Sequence, residues 1–183
     1  MQTYSFLSRP LFLISILAST GGAVAGERTL EYQNPVWDGY LADPMVLKLG
    51  TEYYAYGTGP ENEGRQFPVL HSKDFVNWTF LGNALETVTA PRMEAYWAPE
   101  VAAKNGKFYL YYAGHYKMRV AVAEHPAGPF KDAGQVLFPD EQFSIDGHPF
   151  CDPRSGKWYL FFAKDFLTSV SARRWPWHLL AMT

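Results

Sequence analysis

Apolar and aromatic positions occur in short runs separated by turns that contain Gly or Pro, and no helix-length amphipathic stretch interrupts them. Short alternating runs of this kind predict β-strands. One pattern recurs: a short strand beside a proline, a tight turn with Gly, and a second strand crowded with aromatic residues. We predict three such β-hairpins, at Asp43–Tyr56, Ala98–Tyr112 and His148–Phe162.

The three hairpins are regularly spaced, because Pro44, Pro99 and Pro149 are separated by 55 and 50 residues. The chain between them supplies further short strands, at 67–72, 78–82 and 119–124. A four-stranded unit that recurs about every fifty residues is typical of a β-propeller blade. An ordinary β-sandwich with chance hairpin similarity remains the alternative. We therefore predict an all-β fold, an incomplete propeller of about three blades.

The composition agrees with a packed β domain. The 183 residues are 48% hydrophobic, 17% aromatic and only 19% charged, which excludes a disordered tail, a collagen-like repeat and a coiled coil. The net charge of −2 offers no basic surface for nucleic acid or an anionic membrane. We expect neither of them as a partner.

The N-terminus has the features of a secretory signal peptide. Residues 1–25 carry one charged side chain, Arg9, then the apolar run Leu11–Ala18, and end in Ala23-Val24-Ala25. A basic start, a short apolar stretch and an Ala-x-Ala site occur in the order of such a signal. The alternative is a buried strand. We predict a signal peptide over 1–25, a partial propeller domain over 26–183, and a secreted or periplasmic protein.

Cys151 is the single cysteine, so an intrachain disulfide is impossible. A lone thiol can be a nucleophile, but the sequence shows no dedicated partner for it, and we expect a buried structural cysteine. His71, His115 and His125 have no ligand spacing to one another or to Cys151, so no zinc site is predicted.

Three acidic residues lie where the first strand of each repeat begins: Asp43, Glu100 and Asp146. In a propeller these innermost strands line the central channel, so residues far apart in sequence meet at one mouth. Carboxylates brought together in this way can carry out acid/base chemistry on one bond. The alternative is that each acid caps a turn and is solvated.

Four segments resemble motifs of glycoside hydrolase family 43, and the resemblance runs from about Tyr32 to Thr168. The segments are Asn34-Pro35-Val36 with Gly39–Pro44, Ser72-x-Asp74-x-x-Asn77-Trp78, Tyr96–Val101, and Ile145-Asp146-x-x-Pro149-Phe150-x-Asp152. The resemblance implies a five-bladed propeller that inverts configuration at arabinofuranosides or xylosides of plant cell walls. It implies no cofactor for the chemistry and leaves a structural channel metal such as calcium open.

The resemblance also implies roles for single residues. Asp43 matches the general base that activates water, and Asp146 matches the second acidic residue, which orients the general acid and raises its pKa. Trp97 matches an aromatic wall near the cleaved sugar, with a core aromatic as its alternative. Glu100 and His148 are expected to bind substrate, and a structural turn histidine is the alternative for His148. No protein metal ligand is predicted.

The general acid of the family is a Glu in a later blade, and this sequence contains no Glu after Asp146. We therefore expect a cell-wall oligo- or polysaccharide as partner but little or no hydrolysis. Open blades predict aggregation, whereas a complete protein would be a monomer. A non-catalytic carbohydrate-binding protein is the alternative function. A fructan-acting propeller ranks lower, because Ala42 rather than Asn precedes Asp43.

The last residues depart from the pattern of the third repeat. Arg173-Arg174-Trp175-Pro176-Trp177-His178 breaks it, and the codons for Arg-Trp-Pro-Trp-His encode apolar-Ala-apolar-Ala in a shifted frame. We hypothesise a frameshift near Ser169, so that residues 169–183 form an out-of-frame tail. Sequencing the gene tests this, and an uninterrupted frame without downstream blade-coding sequence would contradict it.

Overall fold

The chain forms three antiparallel β-sheets in a computed structural model that describes residues 31–86, 88 and 95–164 and the backbone of 177–182. The strands of each sheet are consecutive in sequence. Sheet 1 holds β1 (Ala42–Leu49), β2 (Glu52–Thr58), β3 (Gln66–Ser72) and β4 (Thr79–Leu85). Sheet 2 holds β5 (Tyr96–Lys104), β6 (Lys107–Gly114), β7 (Lys117–Ala123) and β8 (Lys131–Val136). Sheet 3 holds β9 (Ser144–Cys151), β10 (Trp158–Lys164) and β11 (Trp177–Met182).

The predicted all-β fold and the three predicted hairpins are confirmed, as β1–β2, β5–β6 and β9–β10. We refer to the three sheets as blades 1, 2 and 3. The predicted signal peptide, 1–25, lies outside the described residues. Of the predicted tail, 169–183, only the backbone of β11 is described, antiparallel to β10. Within the described ranges, no helix is long and apolar enough to cross a membrane.

Among the described residues, the core has two layers between neighbouring blades, and β6 contributes to both. Successive side chains of a strand point to opposite faces of its sheet. Leu110 and Tyr112 accordingly join the cluster shared with blade 1, whose members include Tyr56, Phe67 and Leu85. Tyr111 faces the other way, into a cluster with Met118, Leu160 and Phe162. The near-continuous apolar character of β6 follows from burial on both faces.

The sequence also predicts that four aromatic residues belong to the core between blades: Phe130, Trp158, Phe161 and Phe162. Phe130 and Phe162 are 0% and 2% exposed, whereas Trp158 and Phe161 are half-buried. Cys151, in contrast, is exposed, so the prediction of a buried structural cysteine is wrong. The physical reason is its position: it is the last residue of β9, next to the exposed hairpin loop that connects to β10.

Blades 1 and 2 are joined at Phe130, just before β8. Its N–H donates to the carbonyl oxygen of Ala84 at 2.8 Å, and its carbonyl accepts from the N–H of Glu86 at 2.9 Å. The buried Tyr56 hydroxyl donates to the carbonyl of Pro126 at 2.6 Å. Gly128 lies in the same joint with φ +86°, and a Cβ there would be 2.6 Å from the Ala84 oxygen.

Replacing Gly128 by Ala should therefore lower the free energy of unfolding by about 2–3 kcal/mol, because strain at a positive φ adds to a clash with backbone. Gly50→Ala is the matched control: Gly50 has φ +59°, but a Cβ there meets nothing within 4 Å. It should cost only about 1 kcal/mol. Urea unfolding measures the free energy of unfolding of both variants. An equal decrease in the two would contradict the prediction, because it would mean that the added Cβ at 128 does not clash with the Ala84 carbonyl.

Candidate active site at the strand openings

The innermost strand of each blade contains a register irregularity near its start. In β1 it lies between Ala42 and Met45, and in β5 between Trp97 and Glu100. The pairing of β9 with β10 has the same irregularity between Ile145 and His148, which pair with Ala163 and Phe161. Strand β5 contacts both β1 and β9. β-Bulges of this kind commonly re-aim side chains beside active sites.

Each irregular segment contains one residue with a positive φ: Asp43 at 47°, Ala98 at 44° and Asp146 at 54°. These three residues are therefore structural equivalents, and aspartates occupy the position in blades 1 and 3. Matching the repeats by their prolines gives a different alignment of blade 3. Pro44 and Pro99 directly follow the positive-φ residue in blades 1 and 2, whereas Gly147, and not Pro149, follows it in blade 3. Glu100 is not at the equivalent point of blade 2, since it lies two residues beyond Ala98.

A threonine connects Asp43 with blade 2. The Thr58 hydroxyl donates to Oδ2 of Asp43 at 2.9 Å, and it accepts the backbone N–H of Ala98 at 2.8 Å. One hydroxyl thus holds the carboxylate of blade 1 and the positive-φ residue of blade 2 in fixed relation. Sequence reasoning missed Thr58, because its role depends on a contact with a residue forty positions away.

The charge of Asp43 acts on the carboxyl group of Asp146. Asp146 as a whole residue is exposed, but its carboxyl group is partly shielded. This burial raises the pKa of Asp146, and the negative charge of Asp43 raises it further. The structure therefore brings the two predicted catalytic aspartates into one electrostatic environment.

The two predicted polar substrate contacts also meet. Glu100 and His148 occupy the first paired position after the irregularity in β5 and in β9, opposite Tyr111 and Phe161. Nδ1 of His148 lies 3.3 Å from Oε2 of Glu100. Burial raises the pKa of Glu100, although its contact with His148 acts in the opposite direction. The His148 side chain is 58% exposed and can therefore reach a ligand.

Trp97 lies directly before Ala98 and is half-buried. Its ring contacts Tyr116 edge to face at a centroid distance of 5.1 Å, and Tyr116 stacks on Phe143 at 5.7 Å. We call these three residues the aromatic rim. Trp97 was predicted, whereas Tyr116 and Phe143 were missed. The available signal was the position of Tyr116, in the short turn between two apolar strands at the same end as the start of β5.

No group of three or more His, Cys, Asp or Glu side chains within the described ranges could hold a metal ion. The carboxylates of the site can supply acid/base chemistry. A carboxyl group with a raised pKa beside a carboxylate is an arrangement suited to acid/base work at one bond.

Replacing Asp43 by Asn should lower the pKa of Asp146, because the neighbouring negative charge is removed. The pKa should stay above its ordinary value, since burial, the larger cause, remains. Carbon-13 NMR of the Asp146 carboxyl group measures the change. Asp152→Asn, just beyond the far end of β9, is the control and should leave that titration unchanged. An unaltered Asp146 titration in Asp43→Asn would show that the two groups do not share a site.

Known proteins share this arrangement of blades. The family model of glycosyl hydrolases family 43 matches residues 32–170. This chain belongs to glycosyl hydrolase family 43. The extracellular endo-α-(1→5)-L-arabinanase 1 of Bacillus subtilis is 31% identical over 134 residues, which cover 60% of this chain and 41% of that protein.

Two solved structures of the family extend the comparison. An endo-1,4-β-xylanase from Bacteroides thetaiotaomicron superposes with a TM-score of 0.66 at 33% identity, covering 78% of this chain and 47% of that one. A β-xylosidase/α-arabinofuranosidase from a compost metagenome, in complex with xylotriose, has a TM-score of 0.59 at 30% identity, covering 72% and 45%. The family fold is a five-bladed propeller. The chain spans less than half the length of each of these relatives.

Proposed function

We propose that this chain carries the base side of an inverting glycoside hydrolase site that acts on arabinofuranosides or xylosides of plant cell-wall polysaccharides. In this proposal Asp43 is the general base and Asp146 the second acidic residue. The observation that carries it is the occupation of equivalent irregularities in blades 1 and 3 by these two aspartates. The relatives named for arabinan and xylan support the substrate class.

The proposed chemistry needs a water molecule between Asp43 and the anomeric carbon. Asp43 takes a proton from the water while the water oxygen bonds to the anomeric carbon. In the same step the bond between that carbon and the leaving group breaks. Inverting enzymes separate base and acid by roughly 6.5–9.5 Å to admit this water. Trp97 would face the sugar ring, and Glu100 with His148 would hydrogen-bond its hydroxyl groups.

A glycosyl fluoride tests the role of Asp43 without a general acid, because fluoride leaves without being protonated. We expect the chain to hydrolyse α-L-arabinofuranosyl or xylosyl fluoride above the uncatalysed rate, and Asp43→Asn to abolish that excess. Asp152→Asn, which removes a carboxylate beyond the far end of β9, should keep it. Equal rates for the unaltered chain and Asp43→Asn would contradict the proposal.

A non-catalytic carbohydrate-binding protein is the second candidate, favoured by the aromatic rim, whose rings can pack against a sugar without any bond being cut. Isothermal titration with arabinotriose and xylotriose separates the two, if binding occurs while no fluoride is released from either glycosyl fluoride. Several relatives are named extracellular, which supports secretion of this protein as part of the proposal.

A further inference from the structure

The turn between β6 and β7 has an unusual composition for its geometry. His115 and Tyr116 are its two central residues, with φ of 51° and 63°, and Gly114 pairs with Lys117 across it. Two-residue turns with two positive φ angles strongly favour Asn-Gly. The turn at the other end of β6 has that composition: Asn105 and Gly106, with φ of 53° and 76°. At positions 115 and 116, large side chains are kept despite the strain.

Both strained residues are fixed by backbone hydrogen bonds to the segments that enter the inner strands. The N–H of His115 donates to the carbonyl of Ala95, just before β5, at 3.3 Å. The carbonyl of Tyr116 accepts the N–H of Ser144, the first residue of β9, at 3.0 Å. Asp146 follows Ser144 by two residues. The turn therefore holds Tyr116 between the strand of Trp97 and the strand of Asp146.

The Tyr116 ring is held on two sides and remains open on another. Trp97 contacts it edge to face, Phe143 stacks on it, and Tyr116 is still 40% exposed. A ring fixed in this way loses little conformational entropy when a ligand packs on it. Backbone strain maintained beside a functional site indicates a role for the side chain that it presents.

We propose that Tyr116 is a specificity-determining residue whose exposed ring packs against a sugar unit of the bound oligosaccharide. This inference rests on the proposed function and adds to it the ring that holds the glycan, between Trp97 and the start of β9. The apolar C–H face of a pentose fits an aromatic face, as aromatic side chains line most small-molecule sites. The contact favours oligomers over a single sugar.

Tyr116→Gly tests this and separates binding from structure. Gly tolerates the positive φ, so relief of backbone strain should offset part of the lost ring packing, and the variant should still fold and unfold cooperatively. Its affinity for xylotriose or arabinotriose, measured by isothermal titration with the full chain, should fall about tenfold. Tyr116→Phe should retain the affinity, because the ring remains.

Phe75→Gly is a closely matched control. Phe75 has φ 66°, is 52% exposed and contacts two aromatic rings, Tyr53 and Trp78, but lies in the β3–β4 turn at the other end of the strands. It should not change the affinity. Unchanged affinity in Tyr116→Gly, or failure of that variant to fold, overturns the role of Tyr116 alone. Failure of the unaltered chain to bind either trisaccharide overturns this role together with the proposed function.

Discussion

On arabinotriose and xylotriose, the 183-residue polypeptide should turn over about 100 to 10,000 times more slowly than a family 43 enzyme that has its general acid. The expectation follows from the chemistry of the leaving group. General acid catalysis protonates the departing oxygen, and a positioned acid contributes about that factor. The sequence resemblance implies a Glu for this role, and none follows Asp146.

The comparison with glycosyl fluorides sharpens this expectation. If Asp43 is a working base, the deficit should be small for the fluorides and large for the trisaccharides, because a departing sugar oxygen must be protonated. A deficit of equal size on both would mean that the defect lies in substrate binding or in the base. Turnover of either trisaccharide at the level of an ordinary glycosidase would contradict the prediction and require another proton donor. Asp146, whose pKa is raised, would be the first residue to replace by Asn.

The hairpins and their spacing were predictable because they depend on local chemistry. A Gly or Asn-Gly turn between two apolar runs specifies β1–β2 and β5–β6 from a few neighbouring residues. The positions of Asp43 and Asp146 at strand openings could be read for the same reason. The alignment of the three repeats by their prolines was wrong in blade 3. The β9–β10 connection, 152–157, is longer than the two-residue turns, so Pro149 matches neither Pro44 nor Pro99.

The contacts that complete the site were not predictable, because each joins residues from different strands or blades. Thr58 reaches Ala98 across forty positions, and Tyr116 acquires its setting from Phe143 in the next blade connection. Cys151 was misjudged because burial at the end of a strand depends on what packs over it. Local patterns specify strands and turns, whereas these side chains take their roles from neighbours that pattern alone does not identify.

Removing one partner of the ion pair between Arg119 and Asp132 should destabilise the protein by about 3–5 kcal/mol. Nε and Nη2 of Arg119 donate to Oδ2 and Oδ1 of Asp132 at 2.9 and 2.7 Å, and the two side chains are only 10% and 7% exposed. The Tyr112 hydroxyl also donates to Asp132. Asp132→Ala would leave a guanidinium and a hydroxyl without their acceptor in the interior of blade 2.

The chain offers a control in the same blade. Lys107 and Glu124 form an ion pair at 3.2 Å, but their side chains are 50% and 77% exposed. Glu124→Ala should change the free energy of unfolding by no more than about 1 kcal/mol. The double variant Arg119→Met with Asp132→Leu should recover most of the loss, since it leaves no buried charge. A loss in Asp132→Ala as small as that in Glu124→Ala would contradict the prediction.

The same pair should make the protein sensitive to acid. Burial acts to raise the pKa of Asp132, but hydrogen bonds from Arg119, Tyr112 and the Gly134 N–H outweigh it, and the net shift is downward. A carboxyl group with a lowered folded-state pKa contributes stability above its unfolded pKa of about 3.9 and loses it as the pH falls through the folded value. Urea unfolding between pH 7 and 2 should therefore show a steeper loss for the unaltered chain than for the double variant. Tyr112 packs on Tyr96, the residue before Trp97, so acid should loosen the aromatic rim together with blade 2.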